Sequence, residues 1–506
     1  MMFDDHFTPF HRGEKIRAVF LFQVPSFWPS WESVYYECVN DPRFDTRLVL
    51  HVGMSFHRQQ MNDSETFLRE RGICFFRFED FDFDSYKPHL MILQTPADTV
   101  HRTVDALSLR FKNIGARIVY IPYGIELSDA SEARMDHFFT FTILNAWRIY
   151  VISEAMYAYY QKFCPNREAV RVTGHPKFDF CASNPSSSIS QEIEMRIGPR
   201  KVVLWKVHFP KKFGSVQITP NIDEYLDFAT KVSDYPDLFF VFMPHPLMHP
   251  KSEILSDESK YKVSSLFSFL QGKSNVYIYT EADYRPALMR ADAVIIDRSA
   301  LMIEAALTGV PILYMHSSDN SEPLSPPIAP LIDSYYHGTS AIDICSFLQQ
   351  FRNHQDPFKN KRIMAFRNCV TNCDGFSGRR IVSDMATSIL SDQSLPPPAK
   401  LVVFGLGQLF EYYSGQTNHF QNPEFEIAAL CDNNPSLWNT SWKGITVVPP
   451  SALNTISHDS ILIFSERYYL PIFRQLVFDL HIDPDRVIRL DKFLTRFFLR
   501  NFRKNV

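Results

Sequence analysis

Apolar and polar positions along the chain follow a repeating order: a short run of β-formers, a polar turn, then a stretch with apolar residues three and four apart. Residues 18–23, 47–52, 72–76, 90–93, 116–121 and 148–152 read as strands, and 31–38 as a helix, with amphipathic stretches between several of the others. The order resumes with strands over 201–206, 238–243, 276–279, 293–296 and 311–314. Helices fit 222–232, 259–270, 284–290, 300–307 and 341–353, and a last one fits 377–390. Strands that alternate with helices in this way build open α/β sheets. Between the two series, residues 181–200 hold Asn-Pro, a serine run and few apolar positions before Ile193, which predicts a linker.

A third pattern follows three consecutive prolines within 395–399, a stiff spacer. It has strands over 400–404, 426–431, 460–465 and 487–490, with the turn GLGQLF after the first and Asp432-Asn-Asn-Pro after the second. The expected map is a Rossmann-like lobe over 1–180, a linker over 181–200, a second lobe over 201–394 and a proline-rich linker over 395–399. A small Rossmann-like domain over 400–491 and a basic amphipathic tail over 492–506 complete it. The predicted fold class is α/β, with two Rossmann-like lobes facing each other across a cleft and a small C-terminal Rossmann-like domain.

Composition narrows the class. At 506 residues the chain exceeds one ordinary core, and 45% hydrophobic with 21% charged residues fits a folded globular protein rather than a disordered one. A net charge of −4 carries no nucleic-acid signature, so no nucleic-acid partner is expected. The N-terminal MMFDDHFTPFHRGEK lacks the apolar core of a signal peptide, and no apolar run is long enough to cross a bilayer. The expectation is a cytoplasmic protein, with peripheral attachment at the inner face of the cell membrane left open. In the tail, Lys492, Arg496, Arg500 and Arg503 recur at helical spacing against Phe493, Phe497 and Phe498, a pattern suited to an anionic membrane surface or to docking on its own domain. The cysteines form no Cys-x-x-Cys pairs, and neither a metal nor a cofactor is expected.

Candidate chemistry concentrates at strand ends. Asp297, Arg298 and Ser299 stand where the strand 293–296 gives way to a helix, whose free N–H groups and positive dipole suit a phosphate. A plainer reading has Ser299 only capping that helix and Asp297 closing the strand. His245, framed by Pro244 and Pro246, follows a strand and has the titration range to donate to or accept from a phosphate or hydroxyl; His175 in TGHPKFD is a weaker copy. Lys206, His208, Lys211 and Lys212 bring cationic groups to the same crevice. Glu304 would accept both hydroxyls of a ribose if its helix turned it inward. In the first lobe, Gln23, Gln94-Thr95, Tyr123-Gly124 and Ser153-Glu154 would line one rim. In the last domain, GLGQLF is a partial dinucleotide fingerprint with Phe410 at its third small position, and Asp432 lies where a ribose-binding acid would. Accessory docking or sugar-nucleotide binding ranks ahead of redox work there.

The order and spacing of Asp297-x-Ser299, Glu304 and Pro311 resemble the donor-site motif of the CDP-glycerol glycerophosphotransferases of teichoic-acid and capsule synthesis. Gly174-x-Pro176-x-x-Asp179, Trp205 to Lys211, His245-Pro246, Asp374-Gly375 and Arg379-Arg380 fall in that family's order, over residues 15–390. The resemblance implies a glycosyltransferase-B (GT-B) architecture with an acceptor lobe first and a CDP-alcohol lobe second. It also implies attack of an acceptor hydroxyl on the phosphorus bearing the alcohol, with CMP leaving, and two histidines, one per lobe. His245 takes the place of one; Tyr123 stands where the family has the other, and Arg298 and Ala300 replace a Tyr and a second Ser. The expected partners are a CDP-activated alditol or a nucleotide sugar, and a polysaccharide or lipid-linked acceptor. The expected activity is transfer of glycerol-phosphate or a related alditol-phosphate. An ordinary nucleotide-sugar glycosyltransferase of the same fold is the first alternative. A non-catalytic nucleotide- or sugar-binding assembly protein, favoured by Tyr123, is the second.

Overall fold

The computed structural model describes residues 7–10, 14–53, 58–98, 102–181, 189–210, 212–213, 216–217, 219–249, 255–318, 323–391, 399–415 and 425–490. Lys211 and the tail 492–506 lie outside the described residues. The chain divides into two compact units, Gly13–Ser388 and Ile389–Val506 with Met1–Arg12.

The larger unit holds two parallel sheets. In the first, β1 (Ile16–Phe22), β2 (Phe44–Leu50), β3 (Phe76–Arg77), β4 (Leu90–Leu93), β5 (Arg117–Tyr120), β6 (Ala146–Val151) and β7 (Val170–Val172) run in the order β3-β2-β1-β4-β5-β6-β7. The second begins with β8 (Lys201–Val207). A small hairpin of β9 (Lys212–Phe213) and β10 (Val216–Gln217) follows, and then β11 (Leu238–Pro244), β12 (Val276–Ile278), β13 (Ala293–Ile296), β14 (Ile312–Met315) and β15 (Tyr336–Gly338). Its order is β12-β11-β8-β13-β14-β15. Parallel strands are covered on both faces, and the runs reflect it: every residue of β11 before Pro244 is buried. Strand order reverses between β1 and β4 in the first sheet and between β8 and β13 in the second, and ligands of open α/β sheets sit at such reversals.

Some elements depart from the expected pattern. Residues 72–75 are not strand: Gly72, at φ 65°, ends the helix Arg58–Glu70, and pairing with β2 begins only at Phe76. The run 300–307 is a short α-helix, Leu301–Ala305, tightened into a 3-10 turn, Ala306–Thr308, and closed by Gly309 at φ 69°. The stretch read as linker contains the helix Gln191–Ile197, capped by the Ser190 side chain and burying Ile193 and Ile197. The helix Lys359–Cys369 and the short edge strands β7 and β15 are further elements that the apolar pattern does not announce.

Contacts across the larger unit explain the Gly174-x-Pro176-x-x-Asp179 motif. The Asp179 carboxylate accepts from the backbone N–H groups of Ser377 (3.0 Å) and Gly378 (2.8 Å), and from the Ser33 hydroxyl (2.6 Å). It thereby satisfies donors at the start of the long helix Ser377–Ser391. A Cβ on Gly174, which sits at φ 79°, would lie 2.8 Å from the Thr371 carbonyl, and one on Gly378 would lie 2.7 Å from the Ser33 backbone. The helix then reaches β6, where Asp384 accepts from Arg148 (3.1 Å) and from Tyr150 (2.7 Å).

The smaller unit carries the third sheet: β16 (Ala399–Phe404), β17 (Phe425–Cys431), β18 (Ser441–Trp442), β19 (Ile445–Val448), β20 (Ser460–Ile463) and β21 (Val487–Arg489), ordered β18-β19-β17-β16-β20-β21. Only β18 pairs antiparallel. Among the described residues no helix is long and apolar enough to cross a membrane.

Candidate functional site

At the order reversal of the second sheet, three strand ends meet. β8 delivers Lys206 and His208, β11 delivers His245, and β13 delivers Asp297, Arg298 and Ser299. The His245 N–H donates to the Val207 carbonyl (2.8 Å), which extends the β8–β11 ladder by one rung. Asp297 is fully buried, and its carboxylate accepts from the His208 N–H (2.9 Å) and the Tyr225 hydroxyl (2.9 Å). Asp297 therefore fixes the loop after β8 rather than projecting toward a ligand. Burial raises its carboxyl pKa and lowers that of the neighbouring Lys206 ammonium, each shift opposed by the other's charge.

The two imidazoles pack against each other, with ring centroids 4.4 Å apart and planes at 46°. His208 donates Nδ1–H to the Phe209 carbonyl (3.0 Å), and His245 accepts the Leu247 N–H at Nδ1 (3.1 Å). In the neutral rings, Nε2 is therefore an acceptor in His208 and a donor in His245. Phe209 lies edge-on to His245 at 4.9 Å. The rim thus has the parts for holding an anion and moving a proton beside it.

The remaining predicted residues are placed differently. Ser299 Oγ accepts the Leu301 N–H (3.3 Å), which closes a turn just ahead of the short helix, whose own N-cap, Ala300, offers no side-chain cap. Arg298 is buried. Glu304 is 1% exposed; one oxygen accepts from Lys177 Nζ (2.8 Å) and the other from the Tyr284 hydroxyl. Both carboxylate oxygens are engaged at the lobe junction, a different setting from the ribose contact its position suggested. Lys177 sits in the turn after β7 and was not singled out from sequence; its place in the His175-Pro176-Lys177 run was the signal. In the first lobe Tyr123 stacks on Phe27 (4.1 Å), and burial raises its phenol pKa. Gln23 is buried beneath the rim and accepts the Thr95 hydroxyl (3.1 Å), because β1 ends inside the packed reversal rather than at the surface. In the smaller unit, Asp432 accepts the Leu406 N–H (2.7 Å) and the Asn434 N–H (2.8 Å), which builds the GLGQLF turn and occupies the acid expected at a ribose.

A family model described as C2185-like, N-terminal, matches residues 398–488, in this chain its C-terminal part. No curated protein matches. Among solved structures, a UDP-N-acetylglucosamine 2-epimerase from Neisseria meningitidis bound to UDP-N-acetylglucosamine aligns at TM-score 0.53 and 14% identity, covering 73% of this chain and 100% of that one. The S. aureus MnaA–UDP structure aligns at TM-score 0.52 and 12% identity, covering 75% of this chain and 98% of that one. A variant of the wall teichoic acid polymerase TagF aligns at TM-score 0.48 and 12% identity, covering 76% of this chain and 90% of that one, a likeness too weak to argue from. At such identities the likeness concerns the fold: the chain has two Rossmann-like lobes in the GT-B arrangement.

Proposed function

We propose that the chain is a transferase that moves glycerol-phosphate, or a related alditol-phosphate, from a CDP-linked donor to a surface polysaccharide or teichoic-acid-like acceptor and releases CMP. The observation that carries this reading is the His208–His245 pair at the reversal between β8 and β13, with Lys206 and Arg298 at the ends of those same two strands. The motif resemblance over residues 15–390 supports the choice of donor. In this reading His245 protonates or holds the donor phosphate through Nε2–H, Ser299 and the adjacent amides bind the diphosphate, and Lys206 with Arg298 offsets the charge that grows on the leaving phosphate. Lys211 and His208 are further donor contacts, and Tyr123 lies on the acceptor side. Lys177 holds Glu304, so Glu304 meets a ribose only if that pair opens.

A second reading, a nucleotide-sugar enzyme, is favoured by the fold shared with a UDP-N-acetylglucosamine-bound epimerase. The two are separated by offering CDP-glycerol, CDP-ribitol and a panel of nucleotide sugars with a capsule-type acceptor and identifying the nucleotide released. CMP release from a CDP-alditol is the expected outcome. Release of UDP from nucleotide sugars with none from any CDP-alditol would replace the first reading by the second.

A further inference from the structure

The first lobe carries a second group of titratable side chains, on the loop after β5, the helix Ser131–Phe138 that follows it and the helix Glu154–Phe163 after β6. Glu126 Oε1 accepts from the Tyr160 hydroxyl at 2.6 Å and lies 2.8 Å from His137 Nε2, which is itself 2.7 Å from the Tyr160 oxygen. Burial opposes charge on Glu126, yet His137 and Tyr160 together hold its carboxyl below the ordinary value. A carboxylate at Nε2 fixes the tautomer that carries its proton there, which leaves Nδ1 of His137 with the lone pair. Glu126, Ser128, Arg134, His137, Phe138 and Tyr159 line a cavity of about 180 Å³. One water needs roughly 10–15 Å³ by the same measure, so the space suits a hydroxylated unit of several carbons, with aromatic faces beside the acid and the imidazole.

The cavity opens off the loop that carries Tyr123. Glu126 follows Tyr123 and Gly124 on the loop at the carboxyl end of β5, the rim where the acceptor is expected. The same loop is tied to the second lobe: Ser128 bridges to Leu324, the Ser325 N–H donates to the Leu127 carbonyl (2.9 Å), and the Asp129 N–H donates to the Pro323 carbonyl (2.9 Å).

We infer that Glu126 and His137 form an acid–base dyad that deprotonates a hydroxyl of an acceptor polyol or sugar unit seated in this cavity. The inference rests on the transferase reading above. In the step, His137 Nδ1 takes the hydroxyl proton while the oxygen forms a bond to the phosphorus bearing the alditol. The bond from that phosphorus to the bridging oxygen breaks, and its electron pair leaves with CMP. The imidazolium, stabilised by Glu126, then returns its proton to solvent. A base from a different position thus does the work for which Tyr123 has no imidazole.

The test uses the full chain, CDP-glycerol and an oligo(glycerol phosphate) acceptor. CMP release is measured with and without acceptor for the parent, His137→Gly and Glu126→Gln, alongside CDP-glycerol affinity by calorimetry. Acceptor-dependent release should fall about 100-fold or more in His137→Gly. Donor affinity should stay unchanged, and added imidazole should restore much of the rate. Glu126→Gln should weaken the same rate and, in spectra of 15N-histidine-labelled protein, shift the His137 tautomer. Acceptor-dependent rates within a few-fold of the parent would overturn the dyad, as would a loss accompanied by lost donor affinity and no imidazole rescue. If the parent turns over only nucleotide sugars, the donor reading fails by itself, and the same variants compared on that donor decide the dyad. A parent inert with every nucleotide donor would overturn both.

Discussion

His175 shows how a candidate catalytic residue becomes a structural one once its neighbours are known. Its Nε2 donates to the Pro122 carbonyl (2.8 Å), its Nδ1 accepts the Lys177 N–H (3.2 Å), and burial followed by the Lys177 charge lowers its pKa to about 3. The unfolded imidazole titrates near 6.5, so between these values only the unfolded state binds the proton. Stability is therefore lost as pH falls below about 6.5, at up to about 1.4 kcal/mol per pH unit from this group. Denaturant titrations between about pH 7 and about pH 4.5 should show a shallower loss in His175→Gln than in the parent, and equal slopes would contradict the assignment. Gly174→Ala should cost about 2 kcal/mol or more, because the added carbon meets the Thr371 carbonyl at 2.8 Å in a left-handed backbone. A melting temperature unchanged by that substitution would contradict the close approach. At this scale the positions of His245 and Asp297 were legible, since a polar residue after an apolar run marks a strand end. The partners of Glu304 were not: Lys177 lies 127 residues away, and nothing local announces the pair.

Between elements, Lys177, Glu304 and Tyr284 join the turn after β7 to the short helix after β13, and Glu32 with Asp283 holds Arg285 nearby. Lys177 and Glu304 are both buried, so removing one partner strands the other charge. Lys177→Met or Glu304→Gln alone should cost about 3–5 kcal/mol, and the double variant clearly less than the sum. Denaturant unfolding of the four proteins checks this; additive costs would show the pair uncoupled. Long apolar strands such as β11 and helices such as Ser340-capped Ala341–Arg352 were legible because a period runs through them. Two-residue edge strands and the helix Gln191–Ile197 were not, because so few apolar positions show no period, and tertiary burial of Ile193 and Ile197 supplies what the local pattern lacks.

For the molecule as a whole, the two units each have their own buried clusters: one built on Leu401, Val403, Leu430 and Leu462, the other on the sheets of the lobes. Calorimetry of the full chain should therefore resolve two transitions, the smaller missing from a chain ending at residue 391; a single transition lost as one would contradict their independence. The α/β class and the facing lobes were readable from the alternation of periods. What the strand ends hold was readable only in part, because the reversal of strand order that gathers residues 206–208, 245 and 297–299 is a property of the sheet and not of any segment. That gathering underlies the proposed donor-phosphate cradle, and the most direct test is the turnover of His245→Ala with a CDP-alditol donor. CMP release should fall about 100-fold or more with donor affinity largely kept; release within a few-fold of the parent would remove His245 from the chemistry and contradict the cradle.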